Sequence, residues 1–161
     1  MMDSVSFINL EETDKDLILS FALDEGDGLV RSLILHRMLF FESILPEEER
    51  GTKVSLEGED LGDEQEYLNT LEEFQFDGDV LRIKSRFRLY VVDAGGLSPE
   101  DFEVIKKALE RQNHDARFQV KWEHYAFVPK ILIFCDRYFW NTRSKVPLYS
   151  AHRRRSMPLP L

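Results

Sequence analysis

The side chains of this sequence that could serve as metal ligands or general bases include four histidines: His36, His114, His124 and His152. None of them forms the H-x-x-x-H spacing that places two imidazoles on one helix face. His124 follows Trp122 on the same face of a predicted strand, and it would act as a general base only if a carboxylate met it in the folded chain. The sequence therefore predicts no metal site and no cofactor.

The single cysteine, Cys135, lies in the continuous apolar run ILIFC at 131–135. A thiol buried in such a run is a poor nucleophile. One cysteine also excludes an internal disulfide and a cysteine-rich zinc site. A GxSxG elbow and a Walker lysine are both missing from the sequence. These observations favour a non-enzymatic role, although they leave an enzyme open.

Basic residues alternate along the segment 79–92, at Arg82, Lys84, Arg86 and Arg88. Such a ladder is typical of a solvated strand face that acids on a neighbouring strand neutralise. The alternative hypothesis is a small anionic-ligand-binding protein or enzyme, with a pocket between sheet and helix lined by His124, Trp122, Arg86 and Arg88. Alternation directs Arg86 and Arg88 away from the helix side, which counts against the simplest form of this hypothesis.

The C-terminal third is rich in aromatic residues, with Arg137, Arg143 and Lys145 among them. Aromatic side chains with basic neighbours can stack single-stranded bases, so nucleic-acid binding by this third is a further, less favoured hypothesis. No RNP-type or zinc-finger pattern supports it. We therefore do not expect nucleic acid as the partner.

Charge is divided unevenly along the chain, whose net charge is −9. Residues 1–110 carry 11 basic and 27 acidic side chains, whereas residues 111–161 carry 10 basic and 3 acidic ones. Either the basic third packs against the acidic part, within one chain or across a homo-oligomer, or the acidic surface meets a basic protein. The favoured function is therefore an interaction or assembly module. Its candidate contact residues are Arg153, Arg154, Arg155, Glu59, Asp60, Asp63 and Glu64.

The length of 161 residues and the 43% of hydrophobic side chains fit one globular domain. We expect that domain at 1–150, followed by a basic, proline-containing, flexible tail at 151–161. No apolar run approaches the roughly 20 residues of a membrane span, and the acidic N-terminus has no signal-peptide pattern. These features predict a soluble cytoplasmic protein without a membrane partner.

Two hairpins dominate the predicted fold. Strands at 17–23 and 29–37 flank a Gly- and Asp-rich turn. A second hairpin joins 71–76 to one long strand at 79–92 through Asp77-Gly78, with Phe74 opposite Leu81. The segment 38–45 fits either a short helix or an edge strand, and 58–66 is predicted as an acidic loop.

Ser98 and Pro99 signal the start of a helix at about 99–112, with one apolar stripe. Weaker strands are predicted at 5–10 and 52–57, and others at 117–123 and 131–135. Several strands, one helix and then two strands do not indicate a doubly wound parallel sheet. The expected fold class is α+β: a mainly antiparallel, curved sheet of about six to eight strands with one main helix packed on it.

Overall fold

The computed structural model describes residues 2–26 and 28–123, which form an eight-stranded sheet and one long helix. The chain divides after Tyr125 into two units, and all described residues belong to the first. The strands are β1 (Ser4–Glu12), β2 (Asp16–Asp24), β3 (Val30–Met38), β4 (Lys53–Leu56), β5 (Leu71–Asp77), β6 (Val80–Ser85), β7 (Leu89–Asp93) and β8 (Gln119–Glu123). The helices are α1 (Asp63–Leu68) and α2 (Pro99–Gln112), and 3₁₀ turns occupy Glu42–Ile44 and Glu47–Glu49.

The α+β class with one main helix is confirmed, but the sheet is mixed. Its order is β4-β3-β2-β1-β7-β6-β5-β8. Five neighbouring pairs are antiparallel, whereas β1–β7 and β5–β8 are parallel. β8 is parallel to β5 because the chain crosses over through α2 before it re-enters the sheet. The sheet is not closed, although an isolated antiparallel bridge joins Lys53 of β4 to Thr70, just before β5.

The first predicted hairpin is confirmed as β2 and β3, which pair from Asp16 with Met38 to Asp24 with Val30. The second hairpin exists, but its predicted register is wrong by two residues. Phe74 lies opposite Ile83, and Asp77 pairs with Val80. The two loop residues are Gly78 and Asp79, since Gly78 takes a φ of +60°. A shift of two keeps every side chain on its predicted face.

The prediction of one long strand at 79–92 is wrong. The chain turns after Ser85, and β6 and β7 form a third hairpin in which Lys84 lies opposite Leu89. The Ser85 hydroxyl accepts a hydrogen bond from the Arg88 amide and donates one to the Arg88 carbonyl. The sequence signal for this turn was Ser85, a polar residue in the alternation of apolar residues from Leu81 to Leu89. In the fold its side chain is buried.

Of the two alternatives for 38–45, the short helix is closer to the structure, because the segment contains a 3₁₀ helix at Glu42–Ile44 and no edge strand. Strand β3 ends at Met38, and the chain continues into the 3₁₀ turn Glu42–Ile44. The acidic segment 58–66 is also not entirely a loop, because α1 begins at Asp63. Three carboxylates in the first turn of α1 suit the positive end of the helix dipole.

Helix α2 is confirmed at Pro99–Gln112, with Ser98 as its N-cap. The Ser98 hydroxyl accepts from the Asp101 amide at 3.2 Å, and Asp101 accepts from the Ser98 amide at 2.9 Å. At its other end, the buried Gln112 side chain donates to the carbonyls of Leu17 and Leu35. These bonds attach α2 to β2 and β3 over the core. Members of that core include Leu19, Phe21, Leu33, Leu35, Phe74, Phe76, Leu81, Ile83, Ile105, Ala108 and Leu109.

The predicted strand at 117–123 is confirmed as β8, with Phe118 buried and Trp122 packed against the core. The predicted strand at 131–135 and the tail at 151–161 lie outside the described residues. None of the described helices is long and apolar enough to span a membrane.

Candidate functional site

A groove of about 470 Å³ lies on the face of β2, β3 and β4 that is turned away from the core. We call it the outer groove. Alternation along each strand places Ile18, Ile34, His36, Met38, Lys53 and Ser55 on that face, because their sequence neighbours point into the core; Val54 belongs to the core and reaches the groove from below. The groove is lined by Ile18, Ile34, His36, Met38, Lys53, Val54 and Ser55 of the strands and by Glu66 and Tyr67 of α1.

Strand pairing sets the arrangement of the groove floor. His36 lies opposite both Ile18 of β2 and Lys53 of β4, so the three form one row across the strands. In the next row, Ile34 lies opposite Ser55. The isoleucines make the floor apolar on a face where one-sided sheets usually present polar groups.

Lys53 is the one lysine or arginine among the residues that line the groove, and its ammonium is turned into the backbone. It donates to the carbonyl of Glu49 at 2.5 Å and to that of Tyr67. Burial lowers the pKa of Lys53, and the nearby Glu49 carboxylate opposes this only in part. Lys53 therefore ties the second 3₁₀ turn and α1 to the sheet.

The carboxylates beside the groove are mostly free. Asp63, Glu64 and Glu66 of α1 are exposed and form no side-chain hydrogen bond or ion pair with any residue that the structure describes. Asp16 binds His36, with 2.8 Å between Oδ1 and Nε2. Tyr67, between this acidic helix face and the floor, is 65% exposed. The groove is thus apolar inside and acidic at its rim.

An exposed apolar turn follows Met38, the last residue of β3, in the chain. Phe40, Phe41 and Ile44 are 64%, 46% and 75% exposed, and we call them the aromatic turn. The two rings meet edge to face, with 4.9 Å between their centroids. The acidic 3₁₀ turn Glu47–Glu49 follows directly. Large apolar side chains this exposed and this close in sequence are characteristic of interaction surfaces.

The aromatic turn is held by a buried arginine. Arg37 is fully buried and binds Glu42 within the turn and Asp115 after α2. It also donates to the carbonyl of Gln112. The Arg37 guanidinium, assisted by Arg117, holds the pKa of Asp115 well below its usual range. Glu42, Asp115 and His114 bring ligand atoms within 4.8 Å of one another, but both carboxylates already bind a cation.

The predicted basic ladder is largely neutralised, as expected of a solvated strand face. Its ion pairs are Arg82 with Asp77 at 3.6 Å, Lys84 with Glu72 at 2.9 Å and Arg88 with Glu59 at 2.8 Å. Arg86 instead lies over the Phe87 ring, 5.6 Å from its centroid. It lines a polar cleft of about 270 Å³ together with Arg50 and Arg117.

The candidate ligand-site residues do not meet in one cleft. Trp122 lines two small clefts with Lys106 of α2, and its ring packs 6.2 Å from that of Phe74. Arg86 lines a different cleft, and Arg88 is paired with Glu59. His124 lies outside the described residues.

The candidate contact residues fall into three groups. Asp63 and Glu64 are exposed on α1, beside the outer groove. Glu59 is occupied by Arg88 and by the Tyr90 hydroxyl at 2.7 Å, and Asp60 accepts from the Gly62 amide. The arginines at 153–155 lie outside the described residues. Only the first group presents free carboxylates in the structure.

Sequence reasoning missed the groove itself. The available signal was the segment 17–23, LILSFAL, in which apolar residues occupy both strand faces rather than one. Such a strand has a second apolar face that needs a cover or a partner. No protein-family model, curated protein or solved structure matches this chain.

Proposed function

We propose that this protein is a protein-interaction module that binds a basic protein segment at the outer groove and the aromatic turn. One observation carries the proposal: an apolar groove is rimmed by carboxylates of α1 that form no ion pair with the described residues, while its cation, Lys53, is bound to backbone carbonyls. Charge complementarity therefore selects a basic partner, and the apolar floor supplies the contact area.

Steering by charge supports this choice of partner. Residues 1–110 carry 27 acidic side chains against 11 basic ones, so the field around the described part of the chain is negative. A negative field accelerates the approach of a basic protein and slows that of an acidic one. The same acidic rim would repel the phosphodiester backbone of a nucleic acid and the surface of an anionic membrane. We therefore favour a protein partner over nucleic acid or a membrane.

Selection from a random peptide library displayed on phage, with the full chain as bait, tests the proposal. We expect enriched peptides that combine lysine or arginine with apolar residues. A synthetic copy of one such peptide should bind the wild-type chain, with affinity measured by fluorescence anisotropy. Tyr67→Ala should weaken that binding by at least about tenfold, the loss typical of a central contact residue.

The matched control is Leu89→Ala, which removes a side chain of similar exposure, 60%, from β7 rather than from the groove. Its affinity should equal that of the wild type. Enrichment of acidic or uncharged peptides would contradict the proposal. So would equal losses of affinity in the two variants.

A further inference from the structure

Resting on the proposed function, we infer that the outer groove receives a single long cationic side chain of the partner, a lysine or an arginine. Such side chains have an aliphatic stem and a charged head, and they bury the stem while the head stays polar. The groove offers both environments in one place. At about 470 Å³ it falls within the roughly 300–1,000 Å³ of small-ligand pockets.

The stem would lie on the apolar floor. Ile18, Ile34 and Met38 are each half-buried, and the groove exposes their outward faces. The strand register puts Ile18 and Ile34 on adjoining strands, β2 and β3. The burial of each methylene group is favourable, so this floor favours a long stem over a short one.

The charged head would lie beside the Glu66 carboxylate and the Tyr67 ring, which both line the groove. Glu66 forms no side-chain ion pair within the described part of the chain, and Asp16 uses Oδ1 for His36. Tyr67 presents its exposed ring beside Glu66, and a cation within about 6 Å of a ring centroid is attracted by it. Lys53 keeps its positive charge, but the carbonyls of Glu49 and Tyr67 anchor its ammonium, so it does not form an ion pair with Glu66.

The other polar groups that line the groove are Ser55 and His36. Ser55 supplies a hydroxyl in the row of Ile34, and His36 stays bound to Asp16. The groove thus has an apolar floor and a carboxylate, Glu66, at its edge, an arrangement that a neutral or acidic side chain would not match.

The experiment uses the full chain with ¹³C-labelled isoleucine and methionine methyl groups. The probes are Nα-acetyl-arginine amide and Nα-acetyl-lysine amide, titrated and followed by NMR. We expect saturable shifts of the Ile18, Ile34 and Met38 methyl signals with both probes. Nα-acetyl-citrulline amide, a neutral analogue of the arginine probe, should bind about tenfold more weakly.

Two variants test whether Glu66 itself binds the charged head of the probe. Glu66→Gln should weaken binding of the arginine probe, whereas Asp79→Asn, in the β5–β6 loop, should leave it unchanged. Equal weakening by both variants would mean that the probe senses only net charge, and the inference would fail. Equal binding of citrulline and arginine, or no shift at the three methyl groups, would also overturn it.

The outcome is separable from that of the peptide selection. Selected peptides that bind through Tyr67 but need no lysine or arginine would defeat this inference and leave an interaction site at the groove. Free arginine that binds at the groove, with no peptide enriched, would support the inference while contradicting the proposed function.

Discussion

Arg37 and Asp115 form a two-bond ion pair that joins β3 to the segment after α2. Nη1 lies 2.9 Å from Oδ1, and Nη2 lies 2.8 Å from Oδ2. A bidentate pair of this kind has a fixed geometry as well as a favourable charge interaction. Because Arg37 also binds Glu42, the aromatic turn and the end of α2 are held by one buried guanidinium.

Arg37→Met should destabilise the protein by about 3 kcal/mol, since it removes the cation that two carboxylates and the Gln112 carbonyl share. Urea unfolding followed by circular dichroism measures the loss. Arg82→Met is the control, because Arg82 is partly exposed and lies 3.6 Å from Asp77. Its cost should be below about 1 kcal/mol, and equal costs would refute a special role for Arg37.

Stability should fall in acid as Asp115 becomes protonated. Its pKa is held below the ordinary value of 3.8, so the folded state binds fewer protons than the unfolded state. The contribution of Asp115 is therefore complete above pH 3.8 and is lost as the pH falls through its lower folded-state pKa. The stability difference between wild type and Asp115→Asn should shrink on acidification below that value.

Urea unfolding at neutral pH and at successively lower pH measures that difference. Glu64→Gln is the control, since Glu64 has no ion-pair partner in the described ranges. Its effect should be small throughout. A wild-type advantage over Asp115→Asn that stays constant into strong acid would contradict the assignment.

Phe74→Ala should cost about 3–5 kcal/mol, because Phe74 is fully buried and packs against Phe21 and Trp122. Phe40→Ala removes the same side chain from the exposed aromatic turn. It should change the free energy of unfolding by no more than about 0.5 kcal/mol. Thermal unfolding of both variants compares the two sites directly, and a large loss in Phe40→Ala would mean that the aromatic turn supports the core.

Ser98→Ala should cost about 1 kcal/mol, since it removes the hydroxyl that accepts from the Asp101 amide. Ser98→Thr keeps a hydroxyl at the N-cap and should restore most of that stability. Amide hydrogen exchange at the first turn of α2 provides a local measurement. Unchanged protection in Ser98→Ala would show that the cap contributes nothing to helix α2.

Local signals in the sequence were sufficient for α2 and for the β2–β3 hairpin. Ser98 and Pro99 mark a helix start by interactions within one turn, and a tight turn pairs strands that are neighbours in sequence. The register around Gly78 was harder, because Asp77-Gly78 and Gly78-Asp79 are both acceptable two-residue loops. Only the backbone dihedral of Gly78, set by the folded sheet, decides between them.

Contacts between segments that are far apart in the sequence could not be predicted from local patterns. Nothing near β8 in sequence indicates that Trp122 lies beside Phe76 of β5. The outer groove likewise combines Ile18, Ile34 and Tyr67 from three separated segments. Apolar residues on both faces of β2 indicate that the second face of the sheet is covered or binds a partner. They do not give the position of α1, which depends on tertiary contacts such as that between Lys53 and the Tyr67 carbonyl.

The position of β1 determines when this sheet can form during synthesis. Of the eight described strands, β1 is synthesised first, yet it lies in the interior of the sheet order, between β2 and β7, and Ser4 finds its one parallel partner at Asp93. This one pair is all that joins the two strands, so most of the β1 edge that faces β7 has no strand partner among the described residues. Such an edge is open to pairing with other chains. Until β7 has been synthesised even that pair is missing, and the whole β1 edge of the nascent chain lacks a strand partner on that side.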